Sequence, residues 1–251
     1  MRSSKLKQAF EQKKALKVIS GLNNFDTGRV VAVVKAAEAG GATFVDIAAN
    51  PELVRLVRQL ISLPICVSAV SPVAFVGAVK AGADLIEIGN FDSFYAQGRG
   101  FEAQEVLELT QKTRALLPDI TLSVTVPHIL PLDEQVRLAE ALVEAGADII
   151  QTEGGTSIKP EHAGVLGLIE KATPTLAAAY SIAQAVDVPV MCASGLSNVT
   201  VPMAIAAGAS GVGVGSGINQ LNNEVAMVAA VRSLVEALNR KNSLINSSKI
   251  S

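Results

Sequence analysis

Eight short apolar, β-branched runs recur along the chain, and each is followed by a turn and a helical period. That alternation is the pattern of a parallel sheet clad in helices. The runs are 17–22 (KVISGL), 43–49 (TFVDIAA), 65–70 (ICVSAV), 84–89 (DLIEIG), 120–126 (ITLSVTV), 148–153 (DIIQTE), 189–194 (PVMCAS) and 211–215 (GVGVG). The helical period occupies 29–39, 51–62, 72–81, 101–117, 133–145, 174–186, 198–207 and 220–239. Eight such units predict a sheet that closes on itself, a single (β/α)8 TIM barrel of the α/β class. Its length of 251 residues suits one such domain, and no Pro/Ser-rich or charged linker interrupts the interior. The expected domain is 1–240, with a flexible tail at 241–251. Leu6, Ala9 and Phe10 lie near helical spacing among lysines, which predicts a short N-terminal helix capping the barrel floor.

Ala-Gly pairs end four of the helices, at Gly40, Gly82, Gly146 and Gly208, where glycine supplies a left-handed cap. Pro-led strands at Pro64 and Pro189 fall between successive pairs, so units two to four echo units six to eight as a half-barrel repeat. The first Gly pair is 42 residues apart and the second 62, which leaves 20 extra residues, mapped to 154–173 after strand six. An extended loop is expected there, on the face where barrels build sites and lids.

The formal net charge of −2 provides no basic field for nucleic acid or anionic lipid. No apolar run reaches the roughly 18 residues of a membrane span, and the N-terminus has no signal-peptide core. Small molecules are therefore the expected partners, without nucleic acid or membrane, and a homo-oligomer is compatible with the sequence. Cys66 and Cys192 lie in apolar runs without metal-type spacing and read as reduced thiols.

In a barrel, reactive groups come from C-terminal strand ends and the loops after them. Strand parity turns Glu87, Asp46, Gln151 and Glu153 inward, with Ser68, Thr121, Ser123 and Thr125 as a polar inner row. Acids facing one cavity raise one another's pKa, which suits Glu87 and Glu153 to proton transfer, with Asp46 as an orienting or third acidic group. The competing reading ties each acid down by a cation or N–H group that merely seals the barrel. His128 joins the catalytic candidates from the loop after strand five, and His162 lies after strand six. Asn24 and Asn90, with Asn23, Asn50, Asp26 and Asp92, form a polar rim that turn and cap chemistry would also explain. Lys159 could close over an anion from the inserted loop.

The most specific local signal is Ser194-Gly195-Leu196-Ser197 after strand seven and Gly215-Ser216-Gly217-Ile218 after strand eight. Glycine lets backbone N–H groups approach an oxyanion, so these loops, with a short helix starting near Ser216, are the expected phosphate site. Close packing of strand eight would ask for the same glycines. No Walker or dinucleotide glycine motif is present, and no metal-ligand spacing is recognisable.

The segment 193–218 (ASGLSNVTVPMAIAAGASGVGVGSGI) resembles the ending of ribulose-phosphate-binding-type barrels such as indole-glycerol-phosphate synthase and phosphoribosylanthranilate isomerase. Over nearly its full length the chain is similar to the Ycf family of cyanobacterial and plastid reading frames, the member numbered twenty-three. The strings that carry this are VISGLNNFD (18–26), IEIGNFDSFYAQG (86–98), LSVTVPHILPLDEQ (122–135), IIQTEGGT (149–156) and PTLAAAYSIAQAV (174–186). The resemblance implies a barrel in the cytoplasm of a cyanobacterium or the plastid stroma, and no particular reaction. Where the isomerase family has Lys-Ile-Cys-Gly, this chain has Val18-Ile19-Ser20-Gly21, so the cysteine base is missing. Lys17, at the far end of strand one, is the only strand lysine, which disfavours imine chemistry.

Three expectations follow. The first is an enzyme moving a proton on a phosphorylated, sugar-phosphate-like molecule, as an isomerase, epimerase or lyase without a cofactor. The second is a non-catalytic barrel that senses such a metabolite. The third is a flavin mononucleotide (FMN) enzyme using the same loops for the cofactor phosphate.

Overall fold

In a computed structural model that describes residues 4–95, 97–155 and 158–240, eight parallel strands close in sequence order into a barrel. The strands are β1 (Ala15–Gly21), β2 (Phe44–Ala48), β3 (Ile65–Ala69), β4 (Leu85–Ile88), β5 (Thr121–Thr125), β6 (Ile149–Gln151), β7 (Val190–Ala193) and β8 (Gly211–Val214). β1 pairs with β8 through Ala15↔Gly211 to Val18↔Val214, which closes the ring. Each expected strand is present. The tail 241–251 lies outside the described residues.

The helices are α1 (Ser4–Glu11), α2 (Thr27–Gly40), α3 (Pro51–Leu60), α4 (Pro72–Lys80), α5 (Asp92–Tyr95) and α6 (Ala103–Leu116), then α7 (Leu132–Glu144), α8 (Gly164–Ala185), α9 (Val201–Ala206), α10 (Ser216–Asn219) and α11 (Glu224–Asn239). Their starts follow local chemistry: Asp26 accepts from the Arg29 N–H, Asn50 from Glu52 and Leu53 ahead of Pro51, and Asn223 from Ala226. No helix among the described residues is long and apolar enough to cross a membrane.

Two apolar layers hold the barrel. Outward strand residues such as Val45, Val67, Ile86 and Val124 pack under the helices. A smaller inner cluster of Phe44, Cys66, Leu85, Ile149 and Met191 fills the floor, and Leu6 and Phe10 of α1 seal it from below. The N-terminal helix therefore caps the barrel as the sequence predicts. Both cysteines are buried free thiols.

Two boundaries differ from the sequence reading. α8 starts at Gly164 and runs through Pro174, so half of the 20-residue insertion is helix and the loop proper ends at residue 163. A proline is the usual mark of a first helical turn; an interior one loses the hydrogen bond of its own N–H and crowds the carbonyl four residues back, a cost that packing on the rest of the helix must offset. The first left-handed cap is Gly41 (φ 88°), one residue beyond the glycine expected. Gly40 answers a different need: a Cβ there would lie 2.4 Å from the Val231 Cβ, so it lets α2 and α11 meet.

Gly40→Ala is expected to cost about 1–3 kcal/mol in urea unfolding through overpacking of this seam, whereas Gly28→Ala, whose Cβ would meet only Asp26 Oδ1 at 3.4 Å, should cost less.

Candidate functional site

Halfway up the barrel the filling changes from apolar to ionic. Lys17 reaches inward from β1, and its Nζ lies 2.5 Å from Glu87 Oε2 on β4, with both side chains 1% exposed. Glu87 also accepts from Ser123 Oγ at 3.0 Å, Gln151 Nε2 at 2.8 Å and Asn90 Nδ2 at 3.3 Å. Asp46 accepts from Ser68 Oγ at 2.5 Å and from Asn90 at 3.3 Å. Burial opposes the charge on Lys17, but the Glu87 and Asp46 carboxylates outweigh it and hold the ammonium above its usual range. Burial, with the Glu87 charge, pushes Asp46 up to about 7 against the pull of Lys17. Lys17 is thus an inward cation and not a remote one.

Above this tier the C-terminal mouth opens into a cavity of about 610 Å³. Glu153, just past β6, lines it and is 4% exposed. Its Oε1 accepts from the Tyr95 hydroxyl at 2.5 Å and the His128 backbone N–H at 3.2 Å, and the His128 Nδ1 lies 3.2 Å away. With Glu153 ionised, Nδ1 is the donor in this pair; with the carboxyl protonated, the direction can reverse. Tyr95 and His128 meet edge to face at 5.0 Å, which fixes the imidazole plane. Asp92 stands 3.7 Å from the same Nδ1 and accepts from Ser194 Oγ at 2.9 Å, tying the acids to the glycine loop.

Burial raises the Glu153 pKa and the Asp92 charge adds to it, while His128 and Tyr95 pull the other way without cancelling the rise. Burial opposes a charged His128, yet its bond to Glu153 and the two carboxylates hold its pKa above 6.5. The pair keeps a proton beside the cavity. Asp92, His128 and Glu153 each offer an atom within 4.8 Å of the others, a grouping that sequence spacing does not show. Nδ1 and Oε1 bond to each other, while Glu153 Oε2 is buried without a hydrogen-bond partner among the described residues.

Beside this cluster stand the two glycine loops. Ser194 and Asn90 have positive φ, 74° and 62°, conformations that cost non-glycine residues energy and concentrate at functional sites. Gly195 (φ 73°) is pressed against Gly155: a Cβ on Gly155 would lie 2.4 Å from the Gly195 Cα. The IIQTEGGT string therefore serves a backbone-to-backbone contact that sets the loop. The N–H groups of Gly195, Leu196, Ser216 and Gly217 donate to no carbonyl among the turn, loop and cap hydrogen bonds of the described residues. Such orphan donors are what an oxyanion requires.

Of the expected binding residues, Ser194, Gly195, Leu196, Gly215, Ser216, Asn24, Asn90 and Gln151 line the cavity. Gly217 does not, and belongs to a neighbouring hollow. Lys159 is exposed and lines neither. Glu87 and Asp46 lie beneath the floor, locked by Lys17 and Ser68, in the sealing arrangement that competed with catalysis. His128 stands behind Glu153 and is outside the lining. His162 is exposed and bonded to Glu170 at 2.5 Å. Sequence reasoning missed Tyr95 and Arg29. Arg29, in the first turn of α2, lines the cavity and donates to the Asn219 carbonyl. A cation just after a barrel strand was the available signal.

Replacing Lys17 by Met should cost about 3–5 kcal/mol in urea unfolding at pH 7, because it strands a buried carboxylate, and adding Glu87→Gln should return at least half. A loss below about 1 kcal/mol would show that the pair is not ionic. His128 should titrate by NMR above pH 6.5, and Glu153→Gln should bring it to 6.5 or lower. Its charged form stabilises the fold fully below the unfolded value, and that contribution fades as pH rises through the folded one.

Comparison with known proteins places this geometry. The chain is 46% identical over 242 residues to "Uncharacterized protein ycf23" of Cyanophora paradoxa, covering 94% of this chain and 98% of that one. Among solved structures, thiamine phosphate pyrophosphorylase from Pyrococcus furiosus superposes with a TM-score of 0.59 at 18% identity over 90% of this chain and 96% of that one. 3-Hexulose-6-phosphate synthase does so with 0.62 at 16%, over 89% and 99%. At such identities these structures share the fold. A family profile described as "Protein of unknown function (DUF561)" matches residues 1–244.

Proposed function

This chain belongs to the DUF561 family, and from that premise we propose that it is an enzyme that binds a phosphorylated, sugar-phosphate-sized molecule and moves a proton on it. The carrying observation is that Glu153, its pKa raised and its Oε1 held by His128 and Tyr95, lines the same cavity as Gly195, Leu196 and Ser216, whose amides donate to no carbonyl among the turn, loop and cap hydrogen bonds of the described residues. The phosphate sits on those amides with Arg29 at the rim, which places the carbon skeleton over Gln151 and Glu153. Glu153 takes or gives the proton and His128 relays it. Isomerisation, epimerisation and elimination all need such a group, and none of them needs a flavin or metal here. The neighbours named above support the reading in that their names contain phosphorylated compounds. We place the protein in the cyanobacterial cytoplasm or the plastid stroma, in line with its relatives.

The test is a panel of phosphate esters read by mass spectrometry for conversion and by thermal shift for binding. Wild type should convert at least one ester, and Glu153→Gln should bind it within about threefold and lose conversion by about 10²–10⁴. Binding without turnover by wild type would favour the metabolite-sensing barrel. Unaltered turnover by Glu153→Gln would remove that residue from the mechanism.

A further inference from the structure

The glycine loops form a partition. Behind them lies a second cavity of about 410 Å³, between those loops and helices α8 and α11. Gly195, Leu196, Val214, Ser216 and Gln220 line both cavities, so these residues form the wall between them. The residues that carry the Gly195 and Ser216 amides thus border both cavities.

The outer cavity has its own recognition chemistry. Lys171 of α8 lines it, part-buried, and makes no ion pair or side-chain hydrogen bond among the described residues. Its stem packs at Gly195, whose Cβ would lie 3.2 Å from the Lys171 Cγ. Ser233 of α11 also lines the cavity; its Oγ accepts from Asn198 Nδ2 at 3.0 Å, which leaves the hydroxyl proton to be donated elsewhere. Among the described residues, no carboxylate lines this cavity. A part-buried cation with no counter-ion and a hydroxyl donor beside it are complementary to a second anionic group.

We propose that the ligand bears a diphosphate: one phosphoryl group rests on the amides of the partition and the second enters the outer cavity against Lys171 and Ser233. This rests on the phosphate reading of the loops and extends it, because a monophosphate ester leaves the outer cavity and its lysine unused. It also divides the ligand by function, with the reacting carbon skeleton toward Glu153 and the terminal phosphoryl group behind the loops.

The probes are orthophosphate, pyrophosphate and a dialkyl phosphodiester, titrated by calorimetry into the full-length protein, into Lys171→Met and into Ser233→Ala, each variant checked first for an unchanged thermal transition. Pyrophosphate should bind wild type at least about tenfold tighter than orthophosphate. Lys171→Met should abolish that gain while changing orthophosphate affinity less than about twofold. Ser233→Ala should remove part of the gain, and it carries the test alone if the Lys171 variant does not fold. Equal binding of the two anions by wild type overturns the second subsite and leaves the loop reading standing. An equal loss of both anions in Lys171→Met overturns it also, since the lysine then serves a single phosphate. So does a phosphodiester that outbinds pyrophosphate, because the outer cavity then takes an apolar arm. Binding of no anion overturns both readings.

Discussion

A closed barrel of eight parallel strands must fill its own interior, and in this chain the decisive filling is an ion pair. Lys17 and Glu87 meet at the centre, where removing either would strand a charge that water cannot reach. The pair also orients what lies above it. Glu87 accepts from Gln151 Nε2, which also donates to Thr125 Oγ1, and shares Asn90 with Asp46, so the cavity floor is tied to the ion pair beneath it. A site that depends on sub-ångström placement gains from such a base.

The walls follow from a different constraint, the close approach of backbones. Gly155 and Gly195 touch through their main chains, and the strained Ser194 beside them is bonded to Asp92. The loop that offers amides to an anion is thereby joined to the acids that hold a proton. Tyr95 and His128 fix one oxygen of Glu153 from the far side. Charge and proton sites that share residues in this way serve a ligand with an anionic end and a reactive carbon beside it.

Much of this was legible in the sequence because strand geometry is periodic. The parity that turned Asp46, Glu87 and Gln151 inward needed only alternation, and the glycine loops needed only their place after strands seven and eight. What parity does not carry is reach. Lys17 sits low on β1, but its long side chain climbs a layer and pairs with Glu87, a partner that alternation does not reveal. Tyr95, Arg29 and Lys171 come from helical turns, where a residue's partner depends on how the helix packs. Pro174 misled for a related reason, since a helix supported on both sides can continue through a proline whose local preference is to begin one.

The most direct measurement of the central claim is a crystal structure of the protein soaked in tungstate, a phosphate analogue visible by anomalous scattering. The account predicts an anion peak within hydrogen-bond distance of the Gly195 and Ser216 amides, on the Glu153 side of the loops or across them. Peaks confined to other surfaces, with those amides bare, would contradict it.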